Sequence, residues 1–206
     1  MVAIKFATLD DDAMRAKAAI RALCSHTSSL THLLAPLDDA QLAIALRNCC
    51  YDDEPVERAL FDGVVDSLGG SPQHVVLYVD ALLRRGIARP SAFIRWLFDG
   101  ACAPYGASSL ASSFAPLELL EVGIERALDA VSAARLAMDA GAPGADAAAA
   151  ESLEEARAAC RAAAEGLEDA PGATLADARL ELGRILVRAA AGGLSPLRRS
   201  GKAQPL

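Results

Sequence analysis

Residues 71–99 read SPQHVVLYVDALLRRGIARPSAFIRWLFD, and this stretch decides the fold. Two helices are written in it with their punctuation. Ser71 stands where an N-cap belongs, and Pro72 follows at the first helical position, where a missing N–H costs nothing. Arg84 and Arg85 close the helix near the negative end of its dipole, and Gly86 supplies a left-handed stop. Pro90 and Ser91 open a second helix that runs to Asp99 and ends at Gly100. Val75, Val76, Leu77, Val79, Leu82 and Leu83 cover most of the first helix's circumference. Phe93, Ile94, Trp96, Leu97 and Phe98 do the same for the second. Helices that are apolar nearly all round are buried between neighbours, so these two belong in the middle of a larger helical stack.

Working outward, the upstream chain repeats the style. Asp10, Asp11 and Asp12 favour a helix start that leads to Cys24. A short helix with Leu30, Leu33 and Leu34 is expected after Ser28, stopped by Pro36. Asp38 is expected to cap the next, which carries Leu42, Ile44, Ala45 and Leu46. Asp53 is expected to cap another, with Val56, Leu60, Phe61, Val64, Val65 and Leu68 on its inner face before Gly69-Gly70. Helix pairs recurring at roughly 35–40 residues fall in the range of HEAT-like arrays. No sequence repeat accompanies that spacing.

Downstream the character changes. Residues 101–113 (ACAPYGASSLASS) read as a loop, and 114–140 as one long helix with Leu117, Leu120, Ile124, Leu128, Val131, Leu136 and Met138 at three- and four-residue steps. GAPGADA breaks it, and a polar, alanine-rich helix follows over 147–169. A closing helix is expected over 174–191, then a disordered basic tail. The expected fold class is therefore all-α: stacked antiparallel helix pairs of HEAT-like or armadillo type, with a projecting long helical hairpin. The expected division is a helical-repeat body over 1–100, the hairpin and closing helix over 101–192, and a tail over 193–206. Because the second hairpin helix offers mostly alanine, the hairpin reads as a weakly seamed, separable arm.

Composition narrows the function. The chain has 206 residues, enough for a real core, and 53% hydrophobic content with only 4% aromatics. No run of about 18 apolar residues lacks charge, so no membrane span is expected. A net charge of -7 opposes a nucleic-acid surface over the whole chain. The five cysteines are odd in number, irregularly spaced and without CxxC, which reads as reduced thiols rather than a disulfide framework.

No GxSxG, HExxH, Walker A or dinucleotide fingerprint is present, so neither catalytic nor cofactor-binding residues are assigned. His26 and His32 near Cys24 read as ordinary surface or half-buried residues rather than metal ligands. Cys49-Cys50 read as one semi-exposed and one buried thiol, and Asp52, Asp53 and Glu54 as helix capping rather than paired catalytic carboxylates. Asp80, inside an apolar helix, needs solvent or a donor such as Arg84, four residues on. Arg84, Arg85, Arg89 and Arg95 are the candidate partner-binding residues, a basic patch for an acidic partner or an RNA backbone. Dipole complement plus solvation explains them more simply. Phe61, Val75, Val79, Leu82, Phe93, Trp96 and Leu97 form the expected structural core.

The same stretch resembles a known family, the large subunit of the nuclear cap-binding complex, in its C-terminal helical domain. The resemblance rests on Pro72-Gln73 before an apolar helix, Asp80 late in it, Arg84-Arg85 closing it, and Trp96-Leu97-Phe98 ending the next. Leu97 stands where that family has a β-branched residue. Ser25–Leu34 is similar to the Ser/Thr-rich start of that domain, and 114–131 to the helix that begins its long hairpin. The resemblance spans about residues 25–140 and implies a domain related to the middle domain of initiation factor 4G. It implies a non-catalytic scaffold in the nucleus, shuttling to the cytoplasm. Its partners are a small RNA-recognition-motif subunit that holds the cap, and mRNA processing, splicing and export factors. Capped mRNA is reached only through that subunit, so no cap-contacting residue carries over to this chain. The alternative is a stand-alone helical-repeat adaptor with no cap role.

Overall fold

The structure, a computed structural model, describes residues 11–25, 29–51, 53–99 and 115–169. It is all-α, and no strand occurs among the described residues. The elements are α1 (Asp12–Cys24), α2 (Leu30–Leu34), a 3-10 turn (Ala35–Asp38), α3 (Ala40–Cys50), α4 (Glu54–Leu68), α5 (Pro72–Arg84), α6 (Pro90–Phe98), α7 (Ala115–Asp139) and α8 (Ala145–Asp169). The expected closing helix, the basic tail and the 101–113 loop lie outside the described residues.

Local chemistry sets most of the boundaries. Asp11 caps α1 by accepting from Ala13 N–H at 2.9 Å. Asp53 caps α4 through Val56 N–H at 3.3 Å. The expected cap at Asp38 is corrected: Asp38 lies in the 3-10 turn that Pro36 starts, and Asp39 caps α3 by accepting from Gln41 and Leu42 N–H. Two adjacent aspartates offer the same chemistry, and the turn's geometry selects the later one. Ser71 occupies the N-cap position of α5 but its hydroxyl makes no capping bond. At the other end of α5, Gly86 has φ 61°. Its N–H donates to Leu83 O, and Ile87 N–H donates to Leu82 O, both at 3.0 Å. This is a Schellman stop whose following residue, Ile87, is fully buried.

The helices stack in an array. α1 packs closely on α4, where a Cβ at Gly63 would lie 3.0 Å from the Lys17 carbonyl oxygen, so glycine permits the approach. α5 and α6 are joined by the tight turn, but α5 packs mainly on α7 and α4 and α6 mainly on α8 and α7, rather than on each other. The expected core is buried throughout: Phe61, Val75, Val79, Leu82, Phe93 and Leu97 are fully enclosed and Trp96 is 1% exposed. Phe61, Phe93 and Trp96 form an aromatic triad with centroids 5.1–5.6 Å apart. The indole N–H of Trp96 donates to Asp62 Oδ1 at 2.9 Å.

α7 and α8 form the long antiparallel hairpin, turning at Gly141 (φ 70°) and Gly144 (φ 75°). Its distal half projects, and Leu136 is 70% exposed there. Its proximal half is packed into the body, where a weakly seamed arm was expected. Leu119, Leu120, Ile124 and Ala127 of α7 and Ala156, Ala159, Ala162 and Ala163 of α8 are buried in the same cluster as the body's core. The division near residue 100 therefore does not separate two cores. Alanine buries little area per residue, but it lets α8 approach α6 and α7 closely. At Gly166 a Cβ would overlap the Phe98 ring.

Candidate functional site

Each of the four arginines of the expected patch pairs with a carboxylate of this chain. Arg84 pairs with Asp80, the local partner that the i, i+4 spacing suggests. Arg85 reaches Asp38 of the 3-10 turn and also donates to Ala81 O at 3.1 Å. Arg95 Nε lies 3.1 Å from Glu54 Oε1. Arg89 grips Glu57 of α4, with Nη2 to Oε2 at 2.9 Å and Nε to Oε2 at 3.1 Å. Three of the four make tertiary ion pairs, while Arg84 and Arg85 at the end of α5 and Arg95 in the last turn of α6 also stand where dipole complement places them.

Sequence reasoning missed the carboxylates that hold the start of α6. That helix has Arg89 at its N-cap position and no side-chain cap of its own. Glu57 Oε1 accepts from Arg89 N–H at 2.7 Å, and Glu155 Oε1 of α8 accepts from Ser91 N–H at 2.7 Å. Two distant carboxylates thus satisfy orphan donors at the positive end of the helix dipole. The available signal was negative: a helix opening Arg-Pro, without Ser, Thr, Asp or Asn, requires an acceptor from elsewhere. Glu57 is fully buried. Burial pushes its carboxyl above the ordinary 4.5, and the Arg89 bonds pull it partly back.

Asp80 likewise has a tertiary role. Besides Arg84 it accepts from Arg126 Nε of α7 at 2.6 Å, and Arg126 also pairs with Asp129. The one acidic residue inside apolar α5 therefore ties that helix to the hairpin.

Along the middle of the hairpin, where it faces α3 and the α5–α6 turn, lies a partly open cleft of about 260 Å³. Arg47 and Tyr51 border it from the end of α3, and Leu83, Gly86, Ala88 and Pro90 from the α5–α6 turn. The hairpin contributes Arg126, Ala127 and Ala130, and then Ala148, Glu151, Ser152 and Glu155. The Arg47 guanidinium stands over the Tyr51 ring, 4.9 Å from its centroid. Burial and the nearby Glu151 and Glu155 carboxylates raise the Tyr51 phenol, opposed by Arg47 and Arg89. The small residues leave the space, and the polar groups on three elements converge on it.

No cluster of His, Cys, Asp and Glu able to hold a metal occurs among the described residues. His32 is exposed and its Nδ1 lies 3.0 Å from the Ser29 hydroxyl, while His26 lies outside the described residues. Asp53 caps and Glu54 pairs, and Asp52 also lies outside the described residues. Among the described residues no helix is long and apolar enough to cross a membrane.

Cys49 is exposed, Cys24 and Cys50 are buried, and Cys160 is half-buried; Cys102 lies outside the described residues. Burial pushes the Cys24 thiol up to about 11 and the Cys50 thiol up to about 12. These groups keep their protons in the fold when the unfolded chain has lost them near 9.0. Their stabilisation is fully present below pH 9 and is lost as the pH rises through 11 and 12. Thiol labelling at pH 8 should therefore modify Cys49 far faster than Cys24 or Cys50. Mass spectrometry of the labelled peptides checks the order, and equal rates at positions 49 and 50 would contradict the burial.

Comparison with protein-family models, with curated proteins and with solved structures finds no match for this chain.

Proposed function

We propose that this chain is a non-catalytic helical scaffold that works by holding a protein partner. The observation that carries the reading is the division of labour along the hairpin. Its proximal half is built into the core, whereas its distal half exposes Leu136 (70%), Met138 (41%) and Leu153 (41%) on two paired helices. Large apolar side chains held out on a firm support suit protein recognition. Arg85, Arg89 and Arg95 make ion pairs between elements, which supports a structural role for 84–95 rather than an RNA-backbone contact.

The resemblance of 71–99 gives the scaffold a specific identity to test: the large-subunit module of the nuclear cap-binding complex. In that role it supports the small RNA-recognition-motif subunit in the nucleus, and processing, splicing and export factors assemble on it. Capped RNA is then bound by the complex and not by this chain. The net charge of -7 and the 4% aromatic content support the second point, because single-stranded RNA needs cationic grooves and stacking platforms.

Titrating the purified small cap-binding subunit against this chain, with capped RNA in a parallel arm, tests both statements. Saturable binding of the subunit is expected, weakened at least tenfold by Leu136→Ser with Leu153→Ser. Capped RNA alone should show no sub-micromolar binding at physiological salt. Binding of capped RNA without the subunit overturns the scaffold reading, and failure to bind the subunit removes the cap-complex role and leaves the adaptor.

A further inference from the structure

The cleft along the hairpin's middle carries two charges that the fold leaves unused. Arg47 meets no carboxylate within ion-pair distance among the described residues; it rests on the Tyr51 ring instead. Glu151, one turn before Glu155 on α8, meets no cation among the described residues. The other charged groups at the rim are committed: Arg126 to Asp80 and Asp129, and Glu155 to the N–H of Ser91. A guanidinium and a carboxylate, on different helices, thus border one space whose remaining lining is largely small or apolar.

We propose that this cleft binds a small zwitterion of the α-amino-acid class with an apolar side chain. The carboxylate takes the planar fork of Arg47, which the stack on Tyr51 holds in place. The ammonium takes Glu151. The side chain lies against the apolar lining that Leu83 and Ala127 contribute. Size points the same way. At about 260 Å³ the cleft falls below the range of roughly 300–1,000 Å³ that encloses drug-sized ligands. A singly charged ligand leaves one of the two groups unanswered, so the site prefers a molecule with both. Because its two ends engage α3 and α8, a bound zwitterion fastens the N-terminal half of α8 to the body and raises thermal stability by mass action.

Calorimetric titration of the full chain with L-leucine and L-phenylalanine tests this. 4-Methylpentanoate and isopentylamine serve as controls that each lack one charge of leucine. Saturable binding of at least one amino acid is expected, with both controls at least tenfold weaker. Arg47→Gln and Glu151→Gln should each weaken binding at least tenfold. Both side chains are exposed, so neither substitution should alter the melting temperature of the free protein. Absence of saturable binding at millimolar concentration overturns the proposal. So does binding that ignores either substitution, or a control that binds as well as the amino acid.

Discussion

Replacing Arg89 with Met is expected to destabilise the protein by about 3–5 kcal/mol, the cost of stranding a buried charge. Glu57 has no exposure, and Arg89 supplies it with two side-chain donors and a backbone N–H. The backbone bond survives the substitution, but the guanidinium does not. The double variant Glu57→Leu with Arg89→Met should be less impaired than Arg89→Met alone, because no charge is then left uncompensated. The pH dependence has a definite sign. Burial already raises Glu57 above 4.5 in the fold. A carboxyl raised in the fold contributes stability that is fully present below its unfolded value and lost as pH rises through its folded value. Removing Arg89 raises the folded value further, so the variant's deficit should shrink as pH is lowered toward 5. Urea unfolding at pH 5 and pH 8 measures both effects. A deficit under 1 kcal/mol, or one that grows on acidification, contradicts the assignment.

Trp96→Ala is expected to cost about 3–5 kcal/mol, as truncation of a core aromatic does. The indole is 1% exposed, packs with Phe61 and Phe93, and donates to Asp62. Trp96→Phe should cost less, because it keeps a ring in the triad and loses only part of the volume and the N–H bond. Thermal unfolding separates the three proteins. A Trp96→Ala melting curve that overlays the parent would make the side chain a surface anchor and undo the core assignment.

The core was legible because its evidence is local and redundant. Pro72, Gly86 and Pro90 mark the ends of α5 and α6, and side chains between them are apolar on nearly every face. The role of Asp80 was half legible: its spacing announced Arg84, but nothing announced Arg126, which arrives from another helix. Glu57 and Glu155 were illegible as caps, since each serves a donor more than thirty positions away. The tertiary partners of Arg85, Arg89 and Arg95 were illegible for the same reason, since Asp38, Glu57 and Glu54 each lie more than thirty positions away. Alanine misled in a different way. Counted by area it makes a poor seam, yet at Ala156, Ala159, Ala162 and Ala163 its small size lets two helices close on α8. The cleft could not be read either, because its opposite charges come from α3 and α8 and border one space only in the folded chain.

The central structural claim is that the hairpin's foot belongs to the core while its tip projects. Native-state hydrogen exchange, resolved by residue, tests it most directly. Amides of 156–163 should exchange as slowly as those of 75–83 and 92–97, and amides of 140–149 should exchange far faster. Exchange in 156–163 as fast as at the tip would contradict it, and would make the hairpin a separable arm.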